Sequence, residues 1–130
     1  MSAAGSSGRP LERKLGIKDG SRVAVLGAPD GFALEGVTPR TRLRGPLDVI
    51  LAFVTERRAL ERRLPALRAA MEPAAGLWIA WPKRASGVST DVTEGVVREL
   101  GLAAALVDNK VCAIDATWSG LRLVIRLRDR

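Results

Sequence analysis

Histidine and tyrosine are absent from the 130 residues, and cysteine occurs once. Without histidine, Ser–His–Asp and Cys–His catalysis are excluded, as is a zinc site of the usual Cys/His kind. A general base can come only from a carboxylate or a lysine with a shifted pKa. The single Cys112 cannot form an internal disulfide, which fits a reducing, cytoplasmic compartment. It sits in the apolar run Leu106–Ile114 and reads as a buried, inert thiol. No apolar run approaches the roughly 20 residues of a spanning helix, so no membrane is expected. Met1 to Gly8 has no apolar stretch of the secretory kind. Residues 1–9 read as a disordered tail and residues 10–130 as one domain.

What the chain does have is apolar residues, at 47%, and positive charge, at +7. That apolar fraction is globular. Arginine greatly outnumbers lysine, and a basic balance admits nucleic acid as a partner. The arginines are spread along the chain, however, and no aromatic residues interleave with them as a stacking platform requires. An arginine-rich composition is the plainer account.

Strand-like and helix-like segments alternate. Pro10–Leu15 predicts a short helix ended by Gly16, and Lys18–Ser21 a turn. Arg22–Leu26 is almost wholly apolar, the pattern of a parallel strand buried on both faces. Gly27–Gly31 closes it, Phe32–Gly36 predicts a turn or two of helix, and Thr41–Arg44 a short edge strand. Leu47–Val54 is a second strand. A helix follows over about Glu56–Met71, with Leu60, Leu64, Leu67 and Met71 on one stripe, Thr55 as cap, and a kink at Pro65. Pro73–Gly76 predicts a turn and Leu77–Trp81 a third strand. Lys83–Ser89 is a polar loop, and Thr90–Leu100 a helix ended by Gly101. Ala104–Ile114 and Leu121–Leu127, joined by Asp115–Gly120, predict an antiparallel hairpin. This order predicts a doubly wound, mostly parallel α/β sheet, Rossmann-like, ending in that hairpin.

Three segments resemble class I methyltransferases. Leu15-Gly16-Ile17-Lys18-Asp19-Gly20-Ser21-Arg22-Val23 is similar to the entry of their first strand. Leu47-Asp48-Val49-Ile50-Leu51 is similar to their fourth, and Met71-Glu72-Pro73-Ala74-Ala75-Gly76-Leu77-Trp78-Ile79 to the turn into their fifth. The closing hairpin also resembles that fold, whose last strand runs antiparallel. More narrowly, Ala28–Phe32, Pro82–Asp91 and Thr117–Leu121 resemble a small bacterial family described as a domain of unknown function. The methyltransferase resemblance implies S-adenosylmethionine. In the glycine loop Gly27 and Gly31 fit the outer glycine positions, but Val25 stands in place of the acid and Pro29 in place of the middle glycine. No carboxylate lies between Glu35 and Asp48 to clasp a ribose. The segment is also too short for the usual second helix and third strand. The pattern is that of a truncated, degenerate member, so no cofactor is expected.

Topology still locates a functional edge, because loops at the carboxyl ends of parallel strands converge where ligands bind. The candidate ligand-binding residues are Gly27, Pro29, Asp30, Gly31, Lys83, Ser86, Gly87, Thr90, Asp115 and Trp118. Lys83 and Arg84 supply positive charge, Ser86, Ser89 and Thr90 supply donors, and a helix N-terminus follows: the ingredients of a small-anion site. The same residues also suit plain structure, with Ser89 or Thr90 as N-cap, Asp91 complementing the helix dipole, and Asp30 in an Asx turn. Trp118 either lids a pocket or packs across the hairpin, and Phe32 stands ready to fill the same edge. Trp78 and Trp81 fall on opposite faces of one strand and suit a core. Both long helices are expected on one sheet face, leaving the other thinly covered and open to a second copy of the chain. The expected function is a non-enzymatic module that binds an anionic ligand or a protein. A divergent S-adenosylmethionine-dependent methyltransferase and a nucleic-acid-binding protein are the alternatives.

Overall fold

The computed structural model describes residues 10–130, so the expectation for residues 1–9 lies outside it. Apolar runs become strands β1 (Val23–Leu26), β2 (Leu47–Phe53), β3 (Met71–Pro82), β4 (Leu106–Ala113) and β5 (Trp118–Ile125). They form one open sheet of order β1-β2-β3-β5-β4. β1, β2 and β3 are mutually parallel, while β5 runs antiparallel to both β3 and β4. The three strands that resemble the first, fourth and fifth methyltransferase strands thus lie side by side, and the antiparallel hairpin follows them.

Helices α1 (Leu11–Lys14), α2 (Arg57–Ala69) and α3 (Glu94–Ala103) complete the elements, with short 3₁₀ turns at Arg84–Ser86 and Leu127–Asp129. α2 and α3 cover one face of the sheet through Leu60, Leu64, Leu67, Val97 and Leu100. The strands meet them with Ala24, Ile50, Ala52, Leu77, Ile79, Leu121 and Leu123. The opposite face carries its own cluster, with Val23, Val25, Leu51, Phe53, Trp78 and Ala80 packed under Leu15 and Leu34. We call these the helical face and the wrap face. Trp78 and Trp81 do fall on opposite faces, Trp81 on the helical one. The indole of fully buried Trp78 donates to the Leu15 carbonyl at 3.0 Å, tying the α1 turn to the sheet.

Several boundaries differ from the sequence expectation. Phe32–Gly36 forms turns and extended chain, with no helix. The edge strand expected at Thr41–Arg44 reduces to one parallel bridge between Arg40 and Ala24. Met71 leaves the helical stripe because α2 ends at Ala69, and it pairs instead with Leu47 as the first residue of β3. The Pro73–Gly76 turn is absorbed as an irregularity in β3, where pairing jumps from Leu47↔Met71 to Val49↔Gly76. α2 passes through Pro65 as one helix. The acceptor that Pro65 leaves without an N–H is the carbonyl of Glu61, a residue on the exposed side of the helix. Gly101 does not end α3; it lies inside the helix, buried, where a Cβ would fall 2.9 Å from Leu123 Cδ2. Ala105, at φ 63°, makes the reversal into β4. Leu127 lies beyond the end of β5 and is exposed.

At the amino end of the sheet Asp48 accepts from the Arg22 backbone N–H at 2.7 Å and from its Nε at 2.9 Å. The Arg22 side-chain bond is the main reason the Asp48 carboxyl is held below its usual range, with the backbone bond next. A carboxyl lowered in the folded state stabilises fully above the ordinary carboxylate value near pH 4, and that contribution is lost as pH falls through the lowered value. Urea midpoints of wild type and Asp48→Asn should therefore differ near neutrality and converge as pH falls below about 4 and through the lowered value. A gap unchanged by pH contradicts this.

Candidate functional site

The chain leaves β1 across the wrap face, where Phe32, Leu34 and Val37 join its cluster. It bridges the outer edge of β1 at Arg40, whose N–H donates to the Val23 carbonyl and whose carbonyl accepts from Val25, both at 2.9 Å. It then returns over the helical face, where Leu43 packs, to enter β2 on the other side of β1. The named strands run β1-β2-β3 in chain order, and the order reverses between β1 and β2 only when the Arg40 bridge is counted as a vestigial strand outside β1. In an open α/β sheet, the carboxyl end of that reversal is the ligand crevice.

The crevice mouth is narrow because Gly27, at φ +68°, brings the exit of β1 against that of β2. A Cβ there would stand 3.0 Å from the Phe53 carbonyl oxygen. Phe53 ends β2 on the wrap face, and two rings meet its own edge-to-face: Phe32 at 5.0 Å between centroids and Trp118 at 5.1 Å. Phe53 and Trp118 are buried. Three rings from the glycine loop, β2 and β5 thus converge at the carboxyl rim. Phe32 is tied to that loop, its N–H donating to the Pro29 carbonyl at 3.1 Å.

The remaining candidates surround the same rim, and their polar groups bond to the chain itself. Lys83 Nζ donates to the Asp115 carbonyl at 2.8 Å, and its backbone N–H to the Thr117 carbonyl. Ser86 Oγ donates to the Lys83 carbonyl and accepts from Val88. Gly87, at φ +78°, ends the 3₁₀ turn. Thr90 Oγ1 donates to the Thr55 carbonyl at 2.6 Å and accepts from Val92. The Asp115 carboxylate accepts from Thr117 and Trp118, both at 2.8 Å, closing the β4–β5 connection as an Asx turn. Asp30 and Gly31 occupy the exposed tip of the glycine loop. Trp118 is the first residue of β5 rather than part of the turn.

Two cap assignments change. The N-cap of α3 is Thr93, whose Oγ1 accepts from Val96, rather than Ser89 or Thr90. Asp91 serves the other helix. Its carboxylate accepts the first N–H of α2, from Arg57 at 2.7 Å, while the α2 N-cap Glu56 makes no side-chain bond and Thr55 acts through its carbonyl. Asp91→Ala should cost roughly 0.5–2 kcal/mol in urea unfolding, since it orphans a helix-start N–H. An unchanged midpoint contradicts that role. On the outer side of the same helix start, Arg57 pairs with Glu99 of α3 at 2.8 Å. Cys112 is half-buried, and burial pushes its thiol pKa up, away from nucleophile chemistry.

Between α2 and the loop before α3 lies an open cleft of about 700 Å³ lined by Thr55, Glu56, Arg58, Ser89, Thr90 and Asp91. Its charges are mixed. Of these residues the sequence singled out Ser89 and Thr90 as donors for an anion. Phe53 was missed, because a strand-terminal Phe reads simply as core.

No family model and no curated protein matches the chain. Solved structures do. LaPhzM superposes with a TM-score of 0.53 at 13% identity, covering 95% of this chain and 48% of that one. The magnesium protoporphyrin IX methyltransferase ChlM from Synechocystis PCC 6803, with bound SAM, gives 0.53 at 10% identity, over 71% and 48%. LepI in complex with SAM gives 0.51 at 14% identity, over 89% and 39%. This is a methyltransferase-like Rossmann fold. The chain spans about two fifths to half the length of these neighbours, and at such identities the likeness is one of fold. No helix among the described residues is long and apolar enough to cross a membrane.

Two features of the rim bear on S-adenosylmethionine. Its adenosyl group needs open space at the strand reversal, where the three rings converge. It also needs an acid near a second strand, which here is the single bridge at Arg40 followed by Thr41 and Arg42.

Proposed function

We propose that this chain is a non-catalytic binding module that keeps the methyltransferase architecture and uses its cofactor crevice for packing. The observation that supports this reading is the Phe32–Phe53–Trp118 contact at the strand reversal. The self-satisfied hydrogen bonds of Lys83, Ser86, Thr90 and Asp115 agree with it. So does the lack of histidine. With net charge +7, the ligand class is anionic.

The likeness to structures holding SAM favours a second reading, a divergent methyltransferase. Calorimetric titration with S-adenosylmethionine separates them. No heat of binding is expected. Binding tighter than about 100 μM, roughly −5.5 kcal/mol, would overturn the module reading.

A further inference from the structure

Arg122, in the middle of β5, projects onto the wrap face beside Trp78 and Lys110. Its guanidinium lies on the β3 backbone at Gly76, where a Cβ would fall 2.5 Å from Nε. Any larger residue at 76 would push it away. Arg122 is half-buried, and burial disfavours its charged form. Among the described residues its side chain has one polar contact, Nη1 donating to Asn109 Oδ1 at 3.3 Å. Among the described residues no carboxylate reaches ion-pair distance of it.

Arg122 lines a groove of about 530 Å³ between the α1 turn, the start of β2 and the β4–β5 pair. Arg13, Lys14, Lys18 and Lys110 line the same groove, and among the described residues its single carboxylate is Asp48. Asp48 is already engaged by Arg22 through three hydrogen bonds. Lys110 Nζ lies 3.4 Å from the Lys14 carbonyl, so strands and α1 close on one another here. Five cations around one hollow repel each other unless an anion joins them.

We propose that this groove binds a small molecule carrying a di- or triphosphate, with Arg122 on its floor and the lysines at its mouth. The proposal deepens the module reading by naming its site and ligand class. The arginine fork suits phosphate oxygens, and the volume is that of a small-ligand site. The lining has no aromatic side chain on which bases of a single strand could stack.

Calorimetry of the full chain with inorganic tripolyphosphate, pyrophosphate and orthophosphate tests this. Affinity should fall in that order and weaken with salt. Arg122→Gln should weaken tripolyphosphate binding about tenfold, as loss of a charged hydrogen-bonding group does. Lys110→Gln, at an exposed position, should weaken it several-fold, and Arg62→Gln on the outer side of α2 should change nothing. Circular dichroism checks that each variant is folded. Three results would overturn the proposal: no binding, equal losses in Lys110→Gln and Arg62→Gln, or single-stranded oligonucleotide binding that tripolyphosphate does not displace. Failure here leaves the S-adenosylmethionine titration untouched, so the two readings fall separately.

Discussion

Replacing Trp78 with alanine should lower the unfolding free energy by about 3–5 kcal/mol, the range for emptying a buried aromatic site. Trp78 is fully buried at the centre of β3, between Leu51 of β2 and Arg122 of β5 in register. Gly120 has no side chain beneath it, and a Cβ there would come within 3.2 Å of the indole. The site is thus shaped around this ring and collapses poorly when it is removed. The indole also holds the Leu15 carbonyl at 3.0 Å, so its loss frees the α1 turn that walls the basic groove. Trp78→Phe separates the two contributions. It retains most of the apolar contact but leaves the carbonyl unpartnered, and should cost about 1–3 kcal/mol. Urea unfolding of both variants is the measurement. Equal losses would mean that the hydrogen bond, not the packing, dominates.

Phe53→Ala carries the second large effect, again about 3–5 kcal/mol. Phe53 is the middle ring of three, so its removal breaks both edge-to-face contacts, each contributing roughly 0.5–1.5 kcal/mol beyond burial. It also hollows out the rim between β1 and β2. Phe32→Ala removes one contact and a half-exposed ring and should cost clearly less. A loss below about 1 kcal/mol in Phe53→Ala would mean the rings are not packed as a unit.

Much of this architecture was legible in the sequence because parallel strands buried on both faces read as nearly continuous apolar runs. Val23–Leu26, Leu47–Phe53 and Leu77–Trp81 are of that kind, and their alternation with helices led to the open sheet and its closing hairpin. Errors cluster where one residue type serves two purposes. Met71 continues the spacing of Leu60, Leu64 and Leu67, and only the end of α2 at Ala69 moves it into a strand. Gly101 looks like a helix terminator, whereas its missing side chain admits Leu123. Thr90 and Asp91 have cap chemistry but bond across to Thr55 and Arg57, some 35 positions away.

The carboxyl rim was legible in the same way, since topology alone brings Pro29, Ser86 and Trp118 to one edge. Whether that edge is hollow was not, because Phe53 looks like any other strand residue until Phe32 and Trp118 are set beside it. The basic groove was less legible still. Lys14 and Lys110 are 96 positions apart, and Arg122 sits in a strand that reads as ordinary alternation.

The central claim is that aromatic side chains, rather than a nucleoside, occupy the strand reversal. A crystal structure of the full chain grown with about 1 mM S-adenosylmethionine, far above the Kd of a typical small-ligand site, tests it most directly. The account predicts the Phe32, Phe53 and Trp118 rings in mutual contact near 5.0 and 5.1 Å, with nothing between them. Adenosyl density between the Gly27 loop and Phe53, with the rings displaced, would contradict it.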